Sequence, residues 1–310
     1  MRVMVVGGSG LIGAAVAHAL TGRGHDVMLA GRTPPVDEPL IGDLPFVPLD
    51  YMDRESPEGL SGVEGLVFAA GQDVRHVSGW RSGRDQEVDW ARLQTEAIPR
   101  FFVHARAAGV RRAVHIGSYY HCVRPDLIDV VPYVRARALA ETRVNALSTS
   151  DFNVCTVNPP SVIGATTTRS LEAFARLVDW ADGRTDFPDV VPPGGANYMS
   201  VRSLATAVIA ALESGGSGSS YLVGDEDLSF ADYFALVFSE AGSKRRVRVA
   251  SGEHVTHPMV PAGKLIAGEG AQLVVPRGRI ADDLLGFPLN DVRRAIAVSV
   301  SAVRTGLPAY

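Results

Sequence analysis

The sequence predicts an α/β fold: a doubly wound parallel sheet with a smaller C-terminal α/β lobe. Three observations carry this expectation. Short apolar runs alternate with helical patterns over residues 1–150. The runs are continuously apolar, as strands covered on both faces require. A glycine-rich turn joins the first strand to the first helix.

In order, residues 3–6 form a buried strand, and 11–21 form a helix with Leu11, Ala15, Ala19 and Leu20 on its period. Residues 26–30, 46–49, 65–70 and 112–117 are further strands, with a long helix over about 86–108 between the last two. A helix over 133–148 and a strand over 152–158 follow, ending at Pro159-Pro160. Residues 170–182, 201–214, 229–241 and 290–303 are helices, and 221–223 a strand after a Gly/Ser-rich turn. Residues 1–164 are expected to form a dinucleotide-binding, Rossmann-like domain. Residues 165–310 are expected to form a substrate-binding lobe that returns some strand to the main sheet.

Composition narrows the function. In 310 residues, 46% are hydrophobic and 21% charged, with net charge −4. This excludes a disordered or collagen-like chain and gives no electrostatic reason to expect nucleic acid or an anionic membrane as partner. Two cysteines, Cys122 and Cys155, are too few for a disulfide framework. The N-terminal apolar run meets Gly7-Gly8 after six residues, too soon for a signal peptide, and no run suits a membrane span. A soluble, cytoplasmic protein is expected. Of its 30 basic residues, only Lys244 and Lys264 are lysines.

Gly7-Gly8-Ser9-Gly10-Leu11-Ile12-Gly13 occupies the strand–turn–helix junction, with glycines spaced to let a pyrophosphate approach the helix N-terminus. The second strand ends Leu29-Ala30-Gly31-Arg32-Thr33, with no acid until Asp37. An acid there suits the ribose diol of NAD, whereas Arg32 suits a 2′-phosphate, so NADP(H) is favoured over NAD(H). Asp50 is either an acceptor for an adenine amino group or a turn aspartate facing solvent.

The chain resembles the extended short-chain dehydrogenase/reductase superfamily, in its epimerase/dehydratase and 3β-hydroxysteroid dehydrogenase-like branch. The resemblance rests on the glycine loop, Val67-Phe68-Ala69-Ala70-Gly71, Ile116-Gly117-Ser118, and Asn158-Pro159-Pro160-Ser161-Val162-Ile163-Gly164, where the family reads Arg-Pro-x-x-Val-Tyr-Gly. Val201-Arg202-Ser203-Leu204-Ala205 and Leu284-Leu285-Gly286-Phe287 extend it over nearly the whole chain. It implies that Gly7, Ser9, Gly10, Leu11, Ile12, Gly13, Arg32, Asp50, Tyr51, Ala69, Ala70, Gly71 and Pro159 line the cofactor. The catalytic signature Tyr-x-x-x-Lys is matched by Tyr133-Val134-Arg135-Ala136-Arg137, with arginine for lysine.

In such enzymes the tyrosine exchanges a proton with the substrate oxygen while hydride moves to or from nicotinamide. A free tyrosine titrates near about 10, and a cation one turn away favours its phenolate. Arg137 keeps that charge but cannot relay a proton. Ser118 would orient the substrate oxygen.

Two further departures stand out. Asp89 in Val88-Asp89-Trp90 lies where the family usually has an Asn that supports the site, and the interval from Ser118 to Tyr133 is short. Tyr119, Tyr120, His121, Ser161, Val162 and Tyr198 are expected to meet the substrate, with Trp180 also in its lining. The expected activity is interconversion of a secondary alcohol and a ketone or aldehyde on a hydrophobic small molecule. The alternatives are a nucleotide-sugar epimerase/dehydratase, with Arg169, Arg176 and Arg202 on a diphosphate, or a non-catalytic NADP(H)-binding sensor. The resemblance also implies a homodimer formed through the helices at 86–108 and 133–148.

Overall fold

The structure, a computed structural model, describes residues 1–55, 58–71, 89–251 and 262–310. The strands of its N-terminal part are β1 (Arg2–Val6), β2 (Asp26–Gly31), β3 (Phe46–Pro48), β4 (Gly65–Phe68), β5 (Arg112–Ile116) and β6 (Asn153–Asn158). Then come β7 (Ser161–Ile163), β8 (Val190–Val191), β9 (Gly195–Ser200), β10 (Ser220–Leu222), β11 (Glu226–Ser229), β12 (Arg248–Val249) and β13 (Gln272–Leu273). The helices are α1 (Leu11–Gly22), α2 (Ala97–Ala107), α3 (Tyr120–Val123), α4 (Pro132–Asn145) and α5 (Thr168–Ala181). They continue as α6 (Val201–Ser214), α7 (Phe230–Glu240), α8 (Ala262–Ala267), α9 (Asp282–Leu285) and α10 (Val292–Thr305).

The main sheet has seven parallel strands in the order β10-β6-β5-β4-β1-β2-β3. Its doubly wound character is written in the alternation of β1. Val3 and Val5 point into a core shared with α1 and α6; Met4 and Val6 point into one shared with Phe101 and Phe102 of α2. Both faces are covered, which is why these strands read as unbroken apolar runs. Chain order reverses between β1 and β4, so the crevice at their carboxyl ends is where an open α/β sheet takes a ligand.

The expected helix over 86–108 begins as a π-helical segment, Ala91–Glu96, and continues as α2; residues 86–88 lie outside the described ones. On the two helices from which a homodimer is expected, Phe101, Ala105, Ala136, Ala140 and Val144 are buried in their own chain, and Leu93 is half-buried against the core.

After residue 164, β10 joins the main sheet beside β6, and α6 packs against α1. A smaller sheet unites β11, β9 and β13, with β7 also paired to β9. Helices α5, α7 and α10 pack together. Trp180 of α5 is fully buried, edge-on to Phe234 at 5.2 Å and Phe238 at 4.8 Å. It belongs to the lobe's core and not to a substrate surface.

Candidate active site

Every strand of the main sheet from β1 to β6 ends in residues singled out from the sequence. The glycine loop follows β1, Arg32 follows β2, Asp50 and Tyr51 follow β3, Ala69–Gly71 follows β4, Ser118 follows β5 and Pro159 follows β6. The parallel register puts all these ends on one edge.

The loop is built for close approach. Gly7 has φ +80°, and a Cβ there would lie 2.7 Å from the Ala70 nitrogen. A Cβ on Gly13 would lie 2.2 Å from the Gly7 carbonyl oxygen, so α1 could not sit this near the turn. Gly10 is the N-cap and offers no side chain to the first N–H groups of α1. Those donors and the positive end of the helix dipole suit a pyrophosphate. Thr166 fixes the turn from the lobe by donating its hydroxyl to the Leu11 carbonyl at 2.8 Å.

Arg32 is exposed and makes no ion pair with the described residues. Asp50 is half-buried, and its Oδ1 accepts the Met52 N–H at 3.0 Å, so the side chain caps its own turn. Tyr51 lies edge-on to Phe68 at 5.4 Å. Burial and the Asp50 charge raise its hydroxyl above the usual tyrosine range, while Arg137 and Arg32 pull the other way. Tyr51 is thus electrostatically linked to both arginines singled out from the sequence.

Tyr133 is buried at the start of α4, edge-on to Trp90 at 4.9 Å and 6.3 Å from the Tyr120 ring. Arg137 is one turn further along and 8% exposed. Its Nη2 donates to the Ile116 carbonyl at 2.9 Å and to the Gly117 carbonyl, and its Nη1 to Gln94 Oε1 at 3.1 Å. Its Nε is buried without a partner. The fork is therefore largely engaged by protein oxygens at the end of β5. The position of a Cβ on Gly71 would be 3.5 Å from Nη1, so the guanidinium also faces the end of β4.

Gln94 was not foreseen. It is fully buried on the π-helical segment, while Asp89, at the position matched to the family's Asn, is exposed and accepts the Arg92 N–H at 2.9 Å. The carboxamide supporting the cation thus comes five residues later than the sequence comparison suggested. A π-turn adds a residue to the helical repeat, which a 3.6-residue period cannot reveal.

Ser118 is buried, and its N–H donates to Asn158 Oδ1 at 2.8 Å. The Tyr119 N–H donates to the Pro159 carbonyl at 3.3 Å, joining the ends of β5 and β6. Tyr119 packs on Tyr120 at 4.7 Å. Burial raises the Tyr119 hydroxyl, which has Ser161 as an electrostatic neighbour but no hydrogen bond of ordinary length. Tyr198, paired in register with Ser161, stacks on Tyr233 at 4.4 Å with planes 9° apart. Burial and the neighbouring Tyr233 and Tyr119 raise its hydroxyl well above the usual value. Val162 is half-buried on β7. His121 turns its Nε2 to Glu141 at 2.8 Å.

Residues 3–224 match the NAD dependent epimerase/dehydratase family. The chain belongs to that family. It is 29% identical to a Streptomyces 3-diazoavenalumate denitrifying reductase over 259 residues, covering 75% of this chain and 79% of that protein. It is 33% identical to the cattle epimerase family protein SDR39U1 over 96 residues, spanning 31% of this chain and 29% of that protein. Among solved structures, gox2253 superimposes with a TM-score of 0.78 at 20% identity, covering 98% of both chains. MoeE5 in complex with UDP-glucuronic acid and NAD gives 0.75 at 20%, covering 99% of this chain and 100% of that one. At such identities these structures share the fold. Among the described residues, no helix is long and apolar enough to cross a membrane.

Proposed function

We propose that the chain is an NADP(H)-dependent oxidoreductase that interconverts a secondary alcohol and a ketone or aldehyde on a hydrophobic small molecule. The observation that carries this reading is the convergence on Arg137. One buried guanidinium binds the carbonyls that precede Ser118, faces Gly71 beside the glycine loop, and lies one turn from Tyr133.

The residues fit a dinucleotide: the Gly7–Gly13 cradle would hold its pyrophosphate and Arg32 its 2′-phosphate. When bound, the nicotinamide supplies a hydride donor or acceptor. Ser118 would donate its hydroxyl hydrogen to the substrate oxygen and Tyr133 would exchange the proton with it. Arg137 favours the Tyr133 phenolate as a fixed charge and keeps its own protons. Trp90 and Tyr120 pack edge-on to Tyr133, with Tyr119 against Tyr120, and would limit water around it.

The reductase description of the Streptomyces relative supports the same class of chemistry. A nucleotide-sugar reading has less support from the side chains. Arg202 is held by Asp291 at 2.7 Å, which already offsets its charge, and Arg169 and Arg176 are exposed on α5.

NADPH and NADH titrations followed by turnover on an aldehyde and ketone panel test the proposal. Arg32→Ala is expected to raise the NADPH dissociation constant about 10–100-fold, as loss of a charge-assisted contact does, with NADH little changed. Equal changes for both would overturn the NADP(H) assignment. Tyr133→Phe is expected to cost about 10²–10⁴-fold in turnover. Tight NADPH binding without turnover on any carbonyl would instead identify a sensor.

A further inference from the structure

Glu141 sits one turn beyond Arg137 on α4, buried, and its carboxylate gathers three donors. Oε2 accepts from His121 Nε2 at 2.8 Å and Asn158 Nδ2 at 2.9 Å; Oε1 accepts from the Ser220 hydroxyl. Asn158 Nδ2 also donates to Ser220 Oγ at 3.0 Å, while its Oδ1 accepts the Ser118 N–H at 2.8 Å. This amide orientation is dictated by its neighbours. A backbone N–H can only donate and a carboxylate can only accept, so oxygen must face Ser118 and nitrogen must face Glu141. The fit is tight: a Cβ on Gly117 would fall 1.9 Å from Asn158 Oδ1. Burial by itself would raise the Glu141 carboxyl, but the His121 contact and then those of Ser220 and Asn158 outweigh it and hold it at about 2.

We propose that Glu141, oriented by His121, is a positioning residue for Ser118, acting through the Asn158 carboxamide. The inference rests on the reading of Ser118 as the group that orients the substrate oxygen. Where the related segment carries Arg, this chain has Asn158, which can link a carboxylate on one side to a backbone N–H on the other; an arginine has no acceptor for the second link. His121 follows Ser118 by three residues and ties α3 to the same carboxylate. The short loop after Ser118 is thereby anchored to α4, and β6 to both.

A double-mutant cycle on the full-length protein tests this, with two readouts: amide hydrogen exchange at Ser118, and kcat against KM. Glu141→Gln confronts the Asn158 amide with a second amide, and Asn158→Asp confronts Glu141 with a second carboxylate. Each single change is expected to speed Ser118 exchange about tenfold or more and to lower kcat similarly, with KM for the dinucleotide little changed. The double variant exchanges the positions of carboxylate and carboxamide. The carboxylate now at position 158 would accept from the Ser118 N–H and from the new amide nitrogen at position 141, whose second hydrogen would go to His121 Nε2 in its other tautomer and whose oxygen would accept from Ser220. The double variant is expected to return both readouts to within about threefold of the parent. Singles that leave Ser118 exchange unchanged, or a double no better than either single, would overturn the proposal. Exchange at Val114, inside β5, shows that each variant is folded. A parent protein that turns over no carbonyl compound sinks the proposed function, and the exchange readout still decides the positioning role.

Discussion

At the scale of the residue, Arg137 sets the question this chain poses. Lysine is scarce throughout, and both lysines lie in the C-terminal lobe, away from α4. The arginine is nonetheless more than a charge left in place. A lysine ammonium is a point charge on a flexible stem; the planar fork of Arg137 reaches Ile116, Gly117 and Gln94 at once. Arg137→Lys keeps the charge and cannot make all three contacts from the same position, leaving the Gln94 oxygen or a strand-end carbonyl unmatched in a buried setting. The expected outcome is a loss of stability of about 1–3 kcal/mol in urea denaturation and a fall in turnover. A gain in rate would mean that the lysine chemistry is the better one in this site and that the Gln94 contact is incidental. The carboxamide that meets the guanidinium enters from Gln94, while Asp89 stays exposed.

At the scale of the element, the strands and helices that build the crevice were legible because their signals are local. Val3–Val6 is an unbroken apolar run, Gly7–Gly13 a spaced turn, and Tyr133 to Arg137 one helical turn. The contacts that finish the site join residues far apart: Asn158 and Glu141 are 17 residues apart, Ser220 and Glu141 79. No periodicity records such distances. The small sheet was missed for a different reason. Its central strand β9 is Gly-Ala-Asn-Tyr-Met-Ser, entirely buried yet without a β-branched residue, so its burial rather than its propensity makes it a strand. The helix layer of the lobe is anchored by Trp180 against Phe234 and Phe238. Trp180→Ala should open a cavity there and cost about 3–5 kcal/mol. The measurement is urea denaturation together with NADPH binding under native conditions. Binding should survive, since the residues proposed to hold the cofactor follow strands of the main sheet, whereas Trp180 packs among the helices of the lobe. A cost below about 1 kcal/mol would place Trp180 outside the packed core.

At the scale of the whole molecule, two buried ionisable groups set how the fold responds to acid. His115 lies on β5, one residue before its end, fully buried between Phe68 and Phe102, and burial followed by the Arg137 charge lowers it from 6.5 to about 3. Glu141 and His121 are the other charged or titratable neighbours that act on it. Between those two values the unfolded chain binds a proton that the folded one does not, so stability falls as pH drops from 6.5 toward 3. Glu141 is lowered from 4.5 to about 2, so its contribution is complete above 4.5 and is lost as pH falls through 2. The stability profile should therefore be flat near neutrality on account of these groups, slope downward below 6.5, and steepen below 4.5. His115→Phe separates the two. Phenylalanine suits the aromatic surroundings, and Thr156 keeps its 2.8 Å bond to Asn145 after losing the His115 ring. Urea denaturation at several pH values should show the slope between 6.5 and 4.5 reduced in that variant, with the steeper fall below 4.5 retained. An unchanged slope in His115→Phe would mean that protons bind elsewhere on unfolding, and that β5 carries its buried histidine at no cost in acid.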